Sequence, residues 1–392
     1  MANLATLNPI LKNQYLGPIR EQINSKIELL NRISGNDESV VGKNFTIPIH
    51  HGRNEGIKAT GDGGDLPTAG SQAYQDCIVP MKYIYGRIEI TGPTIKAASS
   101  NTGAFVRAVE SETKGLAKDL KSDVNRQLFG NGSGVLATCG VTANATTVVV
   151  ASTAKLRRNM VVDIVITATG VAGTGATART ILSVVNATTF TISGAAITTD
   201  NTYSVYRSGS RNLELMGLGG IVSNTLTLQG LDVVTYDWWV ANVMVNTAAP
   251  GTPRALSETL LQQALDTTYT NSNGEVSALF TSVGVRRAYQ VLLTNDRIYQ
   301  NTGEFKGGYK TLDYNGLPFM VDKDCTPNSI YLLDEDHLSF YQLSDWDWMD
   351  DDGSILSRVQ NKDAYEATLC KYCELGCTER NAQTLLTDIT EA

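Results

Sequence analysis

Three thiols near the end of the chain, Cys370-x-x-Cys373-x-x-x-Cys377, are spaced for metal chemistry. A closed zinc site takes four ligands, and these three stand without a fixed fourth nearby. The segment Tyr365–Leu375 also reads as a strand, which sends Cys370 and Cys373 to opposite faces. The thiols are therefore read as small buried hydrophobes. The three histidines are His50, His51 and His337. His50 and His51 are adjacent in a predicted strand, so they point apart and do not chelate one ion. His337, in Asp334-Glu335-Asp336-His337, reads as a solvated turn residue. The acidic run Asp345–Gly353 suggests calcium. It fails the EF-hand pattern, because Trp348 stands where the first ligand belongs and Val359 where a bidentate Glu is needed. A solvated acidic turn beside two packed tryptophans is expected instead.

Phosphate and nucleophile patterns fail in the same way. Gly56-x-x-x-x-Gly61 is followed by Asp62, not by Lys and Ser or Thr, so it is no Walker loop. Gly173-x-Gly175-x-x-Ala178 has the outline of a dinucleotide turn, but a strand is predicted after it where a helix is required. Ser133 is out of register for a nucleophile elbow, since Asn131 occupies a glycine position. No His-paired Ser or Cys stands out. The sequence therefore assigns no catalytic, cofactor-binding or metal-binding residue, and the protein is expected not to be an enzyme.

The elements around these residues point to a structural role. The 392 residues, 42% of them hydrophobic, suffice for two or three domains. Sparse charge, 35 glycines and abundant Thr, Ala, Val and Asn favour strands and turns over a helical bundle. The net charge of −8 lacks the basic surplus of a protein that grips a nucleic-acid backbone. The N-terminus lacks the pattern of a signal peptide, and no stretch is apolar and long enough to cross a bilayer. The six scattered cysteines suggest no disulfide framework, so a soluble protein made in a reducing cytoplasm is expected.

Residues 18–34 predict an amphipathic helix with Ile19, Ile23, Ile27, Leu30 and Ile33 on one face, stopped at Gly35-Asn36-Asp37. Strands are predicted over 44–51 and 74–91, joined by a segment too Gly-rich to pack a core. Such a hairpin is marginal in water and needs something to lie against. Residues 103–129 predict the longest helix, with Phe105, Val109, Leu116, Leu120, Val124 and Leu128 at helical spacing. Residues 138–210, rich in Thr, Val and Ala, read as a small all-β insertion. Alternating elements follow: a helix capped by Ser257 with Leu260, Leu261, Ala264 and Leu265 on one face, a strand 278–283, and a helix bearing Ala288, Val291 and Leu292. Asn315-Gly316 predicts a type I′ hairpin. Strands at 329–333, 338–343 and 365–375 complete the pattern.

Some of these segments resemble the Hong Kong 97 (HK97) type of tailed-bacteriophage major capsid protein. Asp123-Val124-Asn125-Arg126-Gln127-Leu128-Phe129-Gly130-Asn131-Gly132-Ser133-Gly134 is similar to the end of that family's spine helix and its glycine turn. Tyr314-Asn315-Gly316-Leu317-Pro318, followed by Asp322, resembles its axial-domain hairpin. Trp346 to Gly353, Asp363–Ala367 and Tyr372–Leu375 resemble its closing strands. The resemblance implies an α+β fold: N-terminal arm 1–40, extended loop 41–96, and spine helix with the start of the peripheral domain 97–137. The all-β insertion 138–210 follows, then the peripheral domain continued 211–250, the axial domain 251–350 and C-terminal peripheral strands 351–392. It implies a virion protein, made in the host bacterial cytoplasm, that self-assembles into pentamers and hexamers of an icosahedral shell. That shell encloses double-stranded DNA without sequence-specific binding, and no membrane or cofactor is involved. An acidic body suits such a wall because it repels its contents.

Two departures shape the partner expectations. Many members carry a cleaved N-terminal scaffolding segment. Here a short arm precedes the loop, so a separate scaffolding protein is expected, beside a portal and a decoration protein. Some members cross-link a loop lysine to a neighbour's asparagine. Lys58, the only lysine between Lys43 and Lys82, is read as an ordinary surface residue. The rival readings are an encapsulin-like compartment shell and, from another class, a β-rich surface adhesin or glycan-binding protein.

Overall fold

The computed structural model describes residues 27–33, 35–36, 42, 44–99, 102–295, 312–349 and 355–392. It divides into two compact units, Met1–Phe129 with Gly219–Ala392, and Gly130–Leu218.

The first unit opens on helix α1 (Glu28–Arg32) and the short strand β1 (Gly35–Asn36), which pairs in parallel with residues 340–341. Of the helix expected over 18–34, residues 18–26 lie outside the described residues. In the remainder the stripe shifts: Leu29 is fully buried, whereas the expected Leu30 is only half-buried. Strands β2 (Asn44–Gly52) and β3 (Ala73–Pro80) form the antiparallel hairpin, with Phe45 opposite Val79 and His50 opposite Tyr74. The strand expected over 74–91 is two strands. Pro80 has no N–H to extend the ladder, and after Met81 the chain enters β4 (Lys82–Thr91) in a different sheet. The hairpin base is not isolated: Phe45, Ile47, Val79 and Met81 pack with Tyr341.

Helix α2 (Gly92–Ser99) leads to α3 (Thr102–Leu128), the expected long helix. Leu120, Val124 and Leu128 are buried, while the side chains of Phe105 and Val109 lie outside the described residues. The helix crosses β4 at Gly86. A Cβ there would sit 2.4 Å from Leu120 Cδ1 and 2.9 Å from Leu116 Cδ1, so glycine permits the close approach.

The second unit is all-β. Its strands are β5 (Val135–Thr138), β6 (Thr142–Ala145), β7 (Thr147–Val149), β8 (Val161–Ile166), β9 (Arg179–Asn186), β10 (Thr189–Ile192), β11 (Ile197–Thr199) and β12 (Tyr203–Arg207). Six pair in the order β5-β12-β8-β9-β10-β7, and β6 pairs with β11. The two edges of the six-stranded sheet then meet. Cys139 bridges Val150, Gly140 N donates to Val149 O (2.9 Å), and Ala151 N donates to Thr138 O (2.9 Å). This closure removes the open edges and encloses Val148, Ile164, Ile181, Phe190 and Val205, all with no exposure.

The first unit resumes with α4 (Leu218–Ile221), β13 (Asn242–Met244), α5 (Glu258–Asn271), β14 (Ala278–Thr281), α6 (Val283–Asn295), β15 (Leu312–Tyr314), β16 (Leu317–Val321) and β17 (Ile330–Leu333). Next come β18 (Leu338–Trp348), β19 (Ser357–Arg358), β20 (Ala364–Cys377) and β21 (Thr384–Leu386). Two sheets result. In one, β1, β18, β20 and β19 lie side by side and β4 also pairs with β20. In the other the order is β13-β21-β17-β14-β16-β15.

In the second sheet a single rung runs Thr384, Leu332, Leu279, Phe319. Helices α5 and α6 cover that face: Thr268 Oγ1 lies 2.6 Å from Thr384 Oγ1, and Tyr289 stacks on Phe319 at 4.6 Å. The next rung, Leu385, Tyr331, Phe280, Met320, faces the other way, where Tyr331 meets Phe129 at the end of α3. Ser257 Oγ caps α5 by accepting from Leu260 N (3.2 Å). On α6 the expected apolar set is displaced: Val285 and Tyr289 are buried, and Val291 is 52% exposed. Asn315 (φ 51°) and Gly316 (φ 79°) make the turn between β15 and β16, both in the left-handed region that a type I′ turn needs. Strand β18, expected to end at 343, runs on to Trp348 because β20 pairs along its length, from Leu338 opposite Cys377 to Trp348 opposite Leu369.

Candidate assembly surface

The residues with chemical potential are dispersed and individually satisfied. Cys370, Cys373 and Cys377 lie on β20 as free, buried thiols. Burial pushes Cys373 and Cys377 up to about 12, so neither is a thiolate at neutral pH. His50 Nε2 contacts Gln72 Oε1 (2.7 Å) and Gly52 O (3.0 Å), whereas His51 stacks on Trp238 at 4.4 Å with rings 5° from parallel. The two rings thus engage different neighbours, as adjacent strand residues must. Among the described residues no group of three or more His, Cys, Asp or Glu is placed to hold a metal.

His337 departs from expectation. It is half-buried in a 3₁₀ turn, with Nδ1 at 2.9 Å from Thr378 Oγ1 and Nε2 at 3.2 Å from Glu379. Strand β20 runs on to Cys377, and this draws Thr378 and Glu379 against the turn. The acidic run differs too. Asp345 to Trp348 belong to β18, and residues 350–354 lie outside the described residues. Asp345 accepts from Lys371 Nζ (2.9 Å), whose hydrogen bond holds the carboxyl below its usual range, and Lys371 lies over the Trp346 ring.

Ser133 Oγ donates to Asn131 Oδ1 (2.6 Å) in a glycine turn, with no histidine partner. After Gly173-x-Gly175 the chain enters β9, a strand, and Ala178 N donates to Asp163 Oδ1 (2.7 Å). Gly56 N donates to Asn54 Oδ1 (2.7 Å) in the hairpin tip, where Lys58 is exposed and reaches Asp65 O (3.3 Å).

Two polar centres that sequence reasoning did not find organise the first unit. Asp322 is 2% exposed. It accepts from Asn125 Nδ2 (3.0 and 3.1 Å), Asp324 N (2.9 Å) and Leu29 N (3.4 Å). Burial nevertheless pushes its carboxyl above the usual range. Asn125 Oδ1 accepts from Leu30 N (3.3 Å), and Arg32 grips Glu335 through two 2.6 Å bonds. Together these fasten α1 to α3 and to the segments after β16 and β17. Arg380 is fully buried and has no carboxylate partner among the described residues. Its guanidinium donates to four carbonyls: Ile221 (2.8 Å), Leu226 (3.0 Å), Gly220 (3.1 Å) and Trp239 (3.1 Å). Burial lowers it to about 10, so it remains charged at neutral pH. Arg380 thereby holds the irregular segment 220–239, which in turn meets the hairpin where Ile78 N donates to Gln229 O (2.9 Å).

What remains outward is surface. At the hairpin tip Ile57 is 78% and Leu66 86% exposed. Exposed apolar side chains of this kind offer surface for contact with another molecule.

Comparison with known proteins agrees. The family model described as "SU10 major capsid protein" matches residues 91–354. Among solved structures, the chain is similar to a subunit of the cyanophage A-1(L) capsid, with 13% identity, TM-score 0.64 and 97% of each chain covered. It is also similar to the capsid of a native GTA particle, with 9% identity, TM-score 0.54 and coverage of 97% and 95%, and to that of an empty GTA particle, with 8% identity, TM-score 0.52 and coverage of 99% and 98%. At these identities the likeness is one of fold. No curated protein matches in sequence.

Proposed function

The chain belongs to the SU10 major capsid protein family, and from that premise we propose that it builds a closed icosahedral head of pentamers and hexamers around double-stranded DNA. Its role is that of a structural shell subunit. The observation that carries this reading is the family match across residues 91–354, joined to a fold shared with capsid subunits over nearly the whole chain.

The mechanism is geometric. Many modest surfaces, made simultaneously, give a shell far more stable than any one contact. In the proposed layout residues 41–96 are the extended loop, and 97–137, 211–250 and 351–392 the peripheral domain. Residues 251–350 are the axial domain at the capsomer centre, and 138–210 the insertion. The apolar tip residues Ile57 and Leu66, which find no core of their own, suit a loop that lies on a neighbouring subunit. The net charge of −8 suits a wall that holds nucleic acid without gripping it. A separate scaffolding protein, a portal and a decoration protein are the proposed partners in the virion.

Negative-stain microscopy of the protein produced with its scaffold tests this. Closed particles that hold double-stranded DNA when packaging is allowed are expected. A monomer under every assembly condition would overturn the shell. Particles filled with protein cargo would replace the phage head by a compartment shell.

A further inference from the structure

We propose that subunits join around a ring by docking α5 of one copy on α6 of the next, the acidic helix of each chain meeting the basic helix of its neighbour. This rests on the shell reading and adds which surfaces meet. Helix α5 carries Glu258 and Asp266 and no Lys or Arg, whereas α6 carries Arg286 and Arg287 and no Asp or Glu. Both helices cover one face of the same sheet, and Tyr289 of α6 meets Tyr314, whose hydroxyl donates to Glu258 O of α5 (3.1 Å). Yet their charges do not cancel within the chain. Among the described residues neither the two acids nor the two arginines enter an ion pair, and the Asp266 carboxylate accepts from Gln262 Nε2 (2.8 Å) of its own helix.

On each helix one unmatched charge sits beside exposed apolar surface. On α5, Asp266 lies three residues before Tyr269, which is 85% exposed. On α6, Arg287 lies four residues from both Val283 and Val291, which are 50% and 52% exposed. These spacings put charge and apolar group on one helix face. Two grooves flank α5, one of about 770 Å³ beside Tyr269 and one of about 670 Å³ beside Asp266. An apolar spot with a single-sign charge at its side is the makeup of an interface core and rim.

The sign pattern selects the partner and the symmetry. Pairing α5 with α5, or α6 with α6, across a two-fold axis would set like charges together, which costs affinity. Pairing α5 with α6 of a second copy satisfies both. Such a contact is head-to-tail, and a head-to-tail contact that closes makes a ring.

A charge swap tests the contact in the full chain, produced with its scaffold. Asp266 and Arg287 are both exposed, so Asp266→Lys and Arg287→Glu should melt as the wild type does. Each single variant is expected to lower the sedimenting particle fraction about tenfold, and the double variant to recover most of it. Singles that assemble normally, or a double no better than the singles, would overturn the contact. If Arg287 instead faces nucleic acid, Asp266→Lys leaves assembly intact, which overturns it as well. Wild-type chain that forms no particles would instead refute the shell reading itself, and the contact with it.

Discussion

The inserted unit, Gly130–Leu218, finishes its own surface. Its sheet edges meet through Cys139–Val150 and the flanking backbone bonds, and its core is a set of side chains drawn from about seventy consecutive residues. The α/β layer behind residues 242–386 does not close on itself. Its sheet gathers β13 and β21 from positions 142 residues apart, and the buried Asp322 after β16 accepts from Leu29 N of α1 and from Asn125 of α3. One region is stabilised by near neighbours and can be carried as a cassette. The other depends on distant segments arriving together, and its outer helices retain charge and apolar surface for another subunit.

Removing a long-range centre should separate the two regions most sharply. Arg380→Met strips donors from four carbonyls, three of these bonds being buried. A loss of about 3–5 kcal/mol is expected in the first unit, with the unfolding of the insertion unmoved. Denaturant titration followed by hydrogen exchange reads the two regions separately. Equal loss of protection in both would break the distinction, because it would make the units one cooperative body.

The difference also decides what could be read in advance. The insertion was legible as strands and turns because its patterning is local, and so were the Ser257 cap and the Asn315-Gly316 turn. The apolar faces were less so. Leu29 displaced Leu30, and Tyr289 displaced Val291, because what decides burial is the neighbour across the gap, not the spacing along the helix. Asn125 and Asp322 each stood in a segment noticed for its resemblance, yet nothing in either segment says that they share hydrogen bonds across 197 positions. Arg380 carried no signal at all: an arginine after a strand ordinarily implies solvent. His337 shows the same limit, since Glu379 reaches it only through the course of β20.

A smaller effect of opposite location sharpens the comparison from the other side. Ile164→Ala empties part of the closed core of the insertion, where Ile164 is fully buried. About 2–4 kcal/mol should be lost there, with the first unit's stability unchanged. Thermal scans with a probe in each region check this, and an equal shift of both transitions would count against a self-sufficient insertion.

The smallest expected effect concerns pH and tests whether the arm clasp is a strained polar centre. Asp322 faces Asp324 from its own segment, the amide of Asn125 from α3, the Leu29 N–H from α1, and the Cys325 thiol, while Lys323 turns to Asp324 and to the Ser122 hydroxyl. Burial raises its carboxyl above the usual range, against the pull of the donors from Asp324, Asn125 and Leu29. The native state therefore holds a proton more firmly than the unfolded chain does. By linkage the resulting stabilisation is complete below the ordinary aspartate value, near 4, and is lost as pH rises through the raised native value. Wild type should thus lose stability relative to Asp322→Asn as pH is raised upward from about 4, a trend readable as a falling difference in melting temperature. A difference that grows with pH instead would mean that the converging donors outweigh burial. The clasp would then favour the ionised carboxylate, and the arm would be held most firmly at neutral pH.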